Sequence, residues 1–350
     1  MTTKSELDEA AHVGAATDQA PLLEVVNLHT HFNTSRGVAA AVDGVSFTLE
    51  KGRMIGIVGE SGSGKSVLSR TIIDILPHDD TVSYDGKVFF EGRDLRALSQ
   101  NDMRAVRGTD IAMVFQDPMT SLNPVMKIGK QITEILTIRC GHSKQEATDR
   151  AIELLTDVGI PDPVQQLDRF PMHLSGGMRQ RVAIAIALAG DPKLLIADEP
   201  TTALDVSIQA QILNLLRKLQ LERDMAVIII SHNLGIISEF ADEVAVMYAG
   251  QIVEKSETRR LLDNPRMPYT EALLKSAPSM STPRGTRLNA IPGLPPSVLD
   301  FPKGCRFHER CAYSEAKCAS DMPSLSANSD APTDHLCACW KPLDQNGAST

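Results

Sequence analysis

A glycine-rich segment near the start of the chain has the residue types and spacing of a phosphate-binding loop. It matches the pattern G-x-x-x-x-G-K-[ST] in full and consists of Gly59, Glu60, Ser61, Gly62, Ser63, Gly64, Lys65 and Ser66. The glycines allow tight turns that point backbone amides at phosphate oxygens, Lys65 suits the β- and γ-phosphates, and Ser66 suits Mg²⁺. The apolar run at 54–58 and the helical pattern at 67–76 predict the strand and helix that flank such a loop. We therefore predict a nucleotide site here, the alternative being a glycine-rich turn that binds nothing.

Two adjacent carboxylates follow a second apolar run. Residues 194–197 are Leu-Leu-Ile-Ala, and Asp198 and Glu199 come next. Because neighbouring side chains of a strand point to opposite faces, the two acids are expected to have different roles. Asp198 suits the coordination shell of the Mg²⁺ held by Ser66, and Glu199 suits the polarisation of an attacking water. Two acids at a strand end can also be a solvated edge, but their position after a phosphate loop favours catalysis.

A serine and two glycines in the middle of the chain have the pattern of another anion site. Ser175, Gly176 and Gly177 precede a helical pattern at 178–189. A hydroxyl and backbone amides at a helix N-terminus can bind a γ-phosphate, which gives these residues a functional interpretation. The alternative is that Ser175 only caps its own helix.

Two polar side chains follow other predicted strands. His232 comes after the apolar run 226–230, where an imidazole can hydrogen-bond a γ-phosphate and respond to its loss. Gln116 comes after the run 111–115 and can bridge metal or water through its amide. Without the other motifs, the histidine would be interpreted as a structural residue and the glutamine as a solvated loop residue. Their order relative to the phosphate loop and the acids favours a role in the site.

In this order, the segments resemble the motifs of the ATP-binding subunit of an ABC transporter, over roughly residues 22–255. Residues 174–181 (LSGGMRQR) resemble the family signature, Gln116 its Q-loop, Asp205 its D-loop and His232 its switch histidine. Phe32 stands where that family places an aromatic ring against adenine, although an aromatic residue in a strand is often core.

The resemblance also implies roles for these residues. Ser66, Gln116 and Asp198 would hold Mg²⁺ beside ATP, and Glu199, Gln116 and His232 would act in catalysis. In this family two cassettes face each other head to tail. The signature serine and glycines of one cassette would then close over ATP bound by the phosphate loop of its partner.

The order of elements predicts an α/β fold, a P-loop NTPase of the ABC nucleotide-binding type, spanning residues 21–260. Alternating strands and helices indicate a mostly parallel sheet. Residues 22–50 alternate as two strands joined near Arg36-Gly37, which predicts an antiparallel β layer. An inserted helical subdomain is expected at about 117–180, with one amphipathic helix at 143–159.

The composition is consistent with a protein that uses a nucleotide and does not bind nucleic acid. The net charge is −9 and aromatic residues make up 4% of the chain, which argues against phosphate-backbone binding and base stacking. The longest apolar run, 182–189, is far shorter than the roughly 20 residues that span a bilayer. Residues 1–20 lack a signal-peptide pattern and are expected to be a disordered tail. Together with the family resemblance, these features imply a peripheral protein on the cytoplasmic face of a bacterial membrane.

Two further segments resemble the oligopeptide, dipeptide and nickel permease branch of the family. Residues 117–124 (DPMTSLNP) resemble the segment after its Q-loop, near which the coupling helix of a membrane subunit docks; the alternative is a simple turn. Residues 264–274 (NPRMPYTEALL) resemble the peptide-permease continuation, and a proline-rich linker follows. The region 261–345 is therefore predicted to be the Cys-rich C-terminal extension of this branch.

Five of the six cysteines are crowded into this extension, at Cys305, Cys311, Cys318, Cys337 and Cys339. In a reducing cytosol, such crowding favours metal ligation over disulfides. The spacing matches neither common zinc ribbons nor ferredoxins. Resemblance to the tail of peptide-permease ATPases implies a [4Fe–4S] cluster on Cys305, Cys311, Cys318 and Cys339, with Cys337 as a competing fourth ligand. Zn²⁺ and free or redox-active thiols are the alternatives, and a structural staple is the expected role.

The resemblance as a whole implies an ATP-hydrolysing subunit that powers import of dipeptides or oligopeptides. Its partners would be two transmembrane permease subunits, a second ABC ATPase as heterodimer partner and an extracytoplasmic peptide-binding protein. Nickel or oligosaccharide import by the same machine is an alternative, because the solute never touches this subunit. A soluble ABC ATPase acting on nucleic acid or ribosomes is disfavoured, since the sequence shows one phosphate loop and no long coiled-coil pattern.

Overall fold

One large mixed β-sheet forms the centre of the protein, and a smaller antiparallel sheet packs close to it. The computed structural model describes residues 20–117, 121–201, 205–276, 291–327 and 332–344. The strands in these residues are β1 Leu23–Thr34, β2 Gly37–Leu49, β3 Met54–Val58, β4 Val82–Phe90, β5 Arg93–Asp94, β6 Ile111–Val114, β7 Leu194–Asp198, β8 Ala226–Ser231, β9 Glu243–Tyr248, β10 Gln251–Glu257, β11 Ser326–Ala327 and β12 Leu336–Cys337. The helices are α1 Lys65–Ile72, α2 Gln100–Val106, α3 Ile128–Ile138, α4 Lys144–Asp157, α5 Pro163–Gln166, α6 Gly176–Ala187, α7 Val206–Arg223, α8 Leu234–Ile237, α9 Thr258–Asp263, α10 Pro268–Ser276 and α11 Ala316–Ser320.

The large sheet has the strand order β11-β12-β10-β9-β3-β8-β7-β6. Strands β9, β3, β8, β7 and β6 run parallel to one another, whereas β10, β12 and β11 extend one edge in antiparallel fashion. Because the carboxyl ends of parallel strands lie at one edge, this order gathers the segments that follow β3, β6, β7 and β8. Those segments contain the phosphate loop, Gln116, Glu199 and His232. The predicted α/β architecture with a mostly parallel central sheet is confirmed.

The small sheet has the strand order β2-β1-β4-β5, and its first two strands are the pair predicted within 22–50. A hydrogen bond of 2.8 Å between the buried hydroxyls of Thr30 and Thr71 joins β1 to α1, the helix after the phosphate loop. Apolar side chains of this sheet, α1 and β3 belong to one core cluster. The small sheet therefore packs against α1, the helix that follows the phosphate loop.

Helix α1 ends earlier than the sequence pattern predicts, at Ile72 rather than at residue 76. Asp74 adopts a left-handed φ of 55°, and the Arg107 side chain binds the carbonyl oxygen of Ile73 at 2.8 Å. The amides of Asp74 and Ile75 bond the carbonyl oxygens of Thr71 and Arg70, which is the pattern of a left-handed C-terminal cap and ends the helix. Arg107 binds a carbonyl oxygen that no helical amide could reach, because residue 77 is proline.

Helices α3, α4 and α5 are inserted between β6 and α6, as predicted for the helical part. Ser143 and Glu146 form a reciprocal capping box at the start of α4. The predicted apolar face of this helix is buried at Ala147, Ala151, Leu154 and Leu155. The insertion therefore has its own amphipathic helix packed into the core of the protein.

The C-terminal region completes the large sheet. Strand β12 pairs with β10, with Cys337 opposite Glu254, and β11 pairs with β12. Residues 1–19 of the tail predicted at 1–20, and the linker prolines Pro278 and Pro283, lie outside the described residues. In the part of the chain that is described, no helix is both long and apolar enough to cross a bilayer.

Candidate functional site

The phosphate loop is a tight turn that requires glycine where it touches neighbouring strands. Gly62 and Gly64 have φ angles of 81° and 101°. A Cβ at Gly64 would lie 2.1 Å from the carbonyl oxygen of Ala41, and one at Gly59 would lie 2.0 Å from a backbone carbonyl of β9. Ser61 and Gly62 are exposed at the tip. The loop is thus fixed against β2 and β9, with its tip open to a ligand.

Lys65 lies inside the loop and is almost completely buried. Its ammonium donates to the carbonyl oxygens of Gly59 and Glu60, both at 2.8 Å, and to Ser63 Oγ at 3.3 Å. Burial lowers the pKa of Lys65, while the carboxylates of the neighbouring acids oppose this shift. The cation is therefore already positioned by the loop that would surround a phosphate.

Ser66 and Asp198 meet where the loop approaches the end of β7. Ser66 Oγ donates to Asp198 Oδ1 at 2.8 Å. Asp198 is fully buried, and its Oδ2 has no hydrogen-bond partner among the described residues. Burial raises the pKa of Asp198, because an ionised carboxylate loses its hydration there. An unpartnered carboxylate oxygen beside a hydroxyl fits a divalent cation that prefers oxygen ligands.

Glu199 is held in place just beyond the end of β7. It has a left-handed φ of 45°, and its amide donates to the carbonyl oxygen of Ile230 at 3.0 Å. The sharp turn, rather than the strand pleat that we expected, therefore separates Glu199 from Asp198. Gln116 Nε2 donates to Glu199 Oε2 at 2.9 Å, and His232 Nδ1 lies 3.6 Å from Glu199 Oε1. The structure thus brings the three predicted catalytic side chains together.

The predicted signature residues make no hydrogen bond to the phosphate loop within the described ranges. Ser175 Oγ accepts from the amide of Met178 at 3.3 Å and caps α6, which begins at Gly176 rather than at residue 178. Ser175 and Gly176 are exposed, and a Cβ at Gly177 would lie 3.1 Å from Ile208 of α7. The local capping interpretation is therefore observed, and the segment also lies at the surface, where another molecule can reach it.

Asp205 and Phe32 occupy less direct positions. Asp205 is exposed at the start of α7, where its carbonyl accepts two backbone amides, and the D-loop residues 202–204 lie outside the described residues. Phe32 is half-buried in the small sheet, opposite Ala39 and Val82. Among the described contacts, no hydrogen bond or ion pair joins Asp205 to the group around Glu199.

Four of the C-terminal cysteines converge. They line one pocket together with apolar side chains, and its walls include Cys305, Cys311, Cys318, Cys339, Met267, Phe307 and Trp340. Cys337 is not part of this wall; it lies in β12, buried opposite Glu254. The structure therefore brings together the four cysteines that the family resemblance implies and separates them from the fifth.

Backbone amides and burial act in opposite directions on the pKa of these cysteines. Amides at residues 307 and 308 lower the pKa of Cys305, that at 313 lowers the pKa of Cys311, and that at 341 lowers the pKa of Cys339. Burial nevertheless raises the pKa of Cys305 to about 11 and that of Cys339 to about 12. Ionising such buried thiols requires a cation, and amide-to-sulfur bonds tune thiolate-bound clusters. The donor set fits a thiolate-ligated metal centre.

Sequence reasoning missed the residues that join the C-terminal region to the phosphate loop. Glu60 accepts two N–H groups of Arg310 at 2.6 and 2.9 Å, and its amide donates to Tyr269 Oη at 2.9 Å. Glu60 stands at a position that the loop motif leaves variable, and Arg310 belongs to no recognised pattern. Tyr269 lies inside the 264–274 segment, but no local signal indicates that it reaches the loop.

Comparison with protein families gives two matches along the chain. Residues 42–202 match the model of the ABC transporter family. Residues 253–318 match the model described as the oligopeptide/dipeptide transporter, C-terminal region. The second match covers β10, α9, α10 and three of the cysteines that line the pocket.

Curated relatives and a solved structure agree with these matches. The chain is 53% identical over 293 residues to the oligopeptide transport ATP-binding protein OppD of Bacillus subtilis. The aligned region covers 84% of this chain and 82% of the relative. It is 45% identical over 329 residues to the dipeptide transport ATP-binding protein DppD of Escherichia coli, covering 94% and 99% respectively. A dimeric ATP-binding cassette solved in a post-hydrolysis state with ADP and Pi is similar with a TM-score of 0.60 and 27% identity, covering 68% of this chain and 99% of that one.

Proposed function

The chain belongs to the family of ABC transporter ATP-binding proteins that carry an oligopeptide/dipeptide C-terminal region, and we propose that it hydrolyses ATP to power peptide import. The observation that carries the proposal is the contact of Ser66 with the buried, half-partnered Asp198 directly beside the phosphate loop. This pair supplies a hydroxyl and a free carboxylate oxygen at the position where a nucleotide-bound metal would lie.

Each residue of the site has a defined task in this reaction. The loop amides and Lys65 bind the phosphates, and Ser66 and Asp198 would hold Mg²⁺, which would supply positive charge to the phosphate oxygens. Glu199 orients the attacking water and accepts its proton. Gln116 and His232 hold the Glu199 carboxylate from two sides, so that its orientation is set before ATP binds.

The test of this assignment is Glu199→Gln, measured in the complex with the membrane subunits. The substitution preserves shape and the bond from Gln116 but removes the acceptor charge, so ATP should still bind while turnover falls by about a hundredfold or more. Glu153→Gln, on the exposed face of α4, is the matched control and should leave turnover unchanged. Normal turnover of Glu199→Gln would reject the assignment of this carboxylate.

The proposed partners follow from the exposed signature segment and from the family. Ser175, Gly176 and Gly177 are available to close over ATP bound by a second ABC ATPase, while the loop of this chain receives the signature of that partner. Two transmembrane permease subunits and an extracytoplasmic peptide-binding protein complete the proposed machine, with this subunit on the cytoplasmic face. The docking segment at 117–124 lies partly outside the described residues, which omit 118–120.

The transported solute is tested by reconstitution with those partners. Stimulation of ATP turnover by dipeptides or oligopeptides supports the proposal. Stimulation by nickel or oligosaccharides alone would assign the same machine to another cargo. Co-purification with nucleic acid or ribosomes instead of membrane proteins would reject transport.

We further propose that Cys305, Cys311, Cys318 and Cys339 hold a [4Fe–4S] cluster that staples the C-terminal region. The cluster would supply four metal–thiolate bonds in the described residues from 291 to 344, whose one α-helix, α11, has five residues. Anaerobic purification should yield iron, acid-labile sulfide and visible charge-transfer absorption. Zinc without sulfide would select the alternative centre, and absence of any metal would leave free thiols.

A further inference from the structure

The second residue of the phosphate loop is anchored from outside the ATPase core. All polar groups of Glu60 are engaged: its amide donates to Tyr269 Oη, its carbonyl oxygen accepts from Lys65, and its carboxylate accepts from Arg310. Tyr269 and Arg310 both lie after β10, which ends at Glu257. This C-terminal region also contains β11 and β12, the short strands that extend the large sheet. One loop residue is thus held by two side chains of the C-terminal region.

Arg310 is itself fixed in one position. Its side chain is 4% exposed, and besides Glu60 it donates from Nε to the Pro292 carbonyl oxygen at 2.8 Å and from Nη1 to Tyr248 Oη at 3.2 Å. The bond to Glu60 raises the pKa of Arg310 further above its usual range. A planar guanidinium that forms a bidentate pair with a carboxylate fixes the orientation of that carboxylate, whereas a lysine ammonium does not.

Tyr269 belongs to an aromatic cluster that connects the loop with the cysteine pocket. Its ring lies 4.5 Å from that of Tyr248 in β9 and 5.2 Å from that of Phe307, measured between centroids. Phe307 lines the cysteine pocket and is buried. A close-packed cluster of this kind has little freedom to shift one ring alone.

Arg310 stands in a 3₁₀ turn, His308–Arg310, between Cys305 and Cys311. Both cysteines line the pocket, and the Cys311 amide donates to the His308 carbonyl oxygen. The backbone that carries the guanidinium is therefore the backbone that carries two of the converging thiols.

We propose that Arg310 and Tyr269 are positioning residues for ATP binding, which hold Glu60, and through its carbonyl oxygen Lys65, in the geometry that receives phosphates. This proposal rests on the function proposed above. Without Arg310, the Glu60 carboxylate loses its partner and is free to compete with phosphate for Lys65, whose ammonium lies within its electrostatic reach. The C-terminal region is then a part of the nucleotide site and not only an appendage to it.

The test compares Mg²⁺–ATP binding by the full chain before and after Arg310→Gln. We expect the Kd for ATP to rise by about tenfold, in the range typical of coupling between sites. Tyr269→Phe, which removes the acceptor of the Glu60 amide, should raise the Kd in the same direction. Arg260→Gln is the matched control, because Arg260 forms an ion pair with Asp334 in the same region without contacting the loop in the described structure.

A double-mutant cycle tests whether the effect passes through Glu60. In a Glu60→Gln background, Arg310→Gln should change the Kd by less than about threefold. An equal effect in both backgrounds would overturn the proposed route. If Arg310→Gln does not fold, Tyr269→Phe carries the same test, because it removes only the acceptor of the Glu60 amide.

The decisive comparison is between stability and affinity. A lower melting temperature with a Kd within about twofold of the unsubstituted chain would overturn the proposal and leave Arg310 a purely structural residue. Failure of the unsubstituted chain to bind ATP would instead reject the proposed function, so the two failures are distinguishable.

Discussion

Gln116 and Glu199 are joined by a hydrogen bond of 2.9 Å from the glutamine Nε2 to the glutamate Oε2. They follow β6 and β7, two neighbouring parallel strands of the large sheet. The orientation of the carboxylate is therefore constrained from the adjacent strand. His232 approaches the other carboxylate oxygen, Oε1, at 3.6 Å.

Loss of the Gln116 amide should lower turnover more than it lowers ATP affinity. In Gln116→Ala, Glu199 keeps its charge but loses the donor that orients it, so we expect kcat to fall about ten- to a hundredfold. The Kd for ATP should change by less than about threefold, because the loop and Lys65 remain intact. Single-turnover hydrolysis and equilibrium binding by the assembled complex measure the two quantities.

Gln145→Ala is the control for this prediction, since Gln145 is exposed on α4 and bonds only a side chain of its own helix. Turnover of Gln116→Ala equal to that of the control would show that Glu199 is positioned without Gln116. A Kd that rises as much as kcat falls would assign Gln116 to nucleotide binding rather than to orientation.

Asp198→Asn should stabilise the protein in the absence of Mg²⁺ and nucleotide. Burial raises the pKa of Asp198, so the folded state holds its proton more tightly than the unfolded state does. The free energy of unfolding therefore decreases as the pH rises from the ordinary aspartate pKa of 3.8 through the higher pKa of the folded state. Above the folded-state pKa, the full cost of burying the ionised carboxylate is present. Asparagine keeps the bond from Ser66 without the buried charge.

We expect a melting temperature about 2 °C higher for Asp198→Asn in EDTA at neutral pH, and a smaller loss of stability as the pH rises above 4. Addition of Mg²⁺ and ATP should stabilise the unsubstituted chain but not the variant. Thermal melts over a pH series with and without ligand measure both effects. A variant that is less stable than the unsubstituted chain at every pH would contradict the prediction.

The parts of the site that lie in contiguous motifs were predictable from the sequence. The phosphate loop, the acids after β7 and the polar residues after β6 and β8 each combine a short local pattern with a preceding apolar strand. Parallel strand order then brings them to one edge, so little long-range information is needed. Gln116, Glu199 and His232 accordingly meet as the order of motifs indicates.

The contacts that depend on distant parts of the chain were not predictable. Helix α1 ends in a left-handed cap at Asp74, a residue type that does not require this conformation. Arg107, which binds the Ile73 carbonyl oxygen, lies 34 residues away in the chain. Glu60 meets Arg310, which lies 250 residues away in the chain, and such a contact is a property of the tertiary fold. The left-handed φ of Glu199 likewise follows from its bond to β8 and not from its own residue type.

Glu254→Gln should destabilise the C-terminal strands strongly. The buried Glu254 carboxylate accepts from His335 Nε2 at 2.7 Å and from the amides of Arg266 and Met267 at 2.6 and 3.1 Å. A glutamine places an N–H₂ group against one of these donors, so a buried donor loses its acceptor. We expect a loss on the order of 3 kcal/mol in the free energy of unfolding.

Urea unfolding followed by circular dichroism and by the fluorescence of Trp340, the only tryptophan, measures this loss. Arg260→Gln breaks a partly exposed ion pair of the same region and should cost less than about 1 kcal/mol. Equal losses in the two variants would mean that the buried Glu254–His335 pair contributes no more than a surface pair.

Cys339→Ser and Cys337→Ser should separate metal ligation from packing. Cys339 lines the pocket with the three other converging cysteines, whereas Cys337 is buried in β12 opposite Glu254. We expect Cys339→Ser to lose most of its iron and its visible absorption after anaerobic purification, because a hydroxyl is a poor replacement for a thiolate at such a centre. Cys337→Ser should retain both and show only a lower melting temperature, since serine replaces a buried thiol with a more polar hydroxyl in a fully enclosed position. Loss of iron in Cys337→Ser with retention in Cys339→Ser would reverse the assignment of the fourth ligand, and unchanged metal content in both would place the centre on other residues.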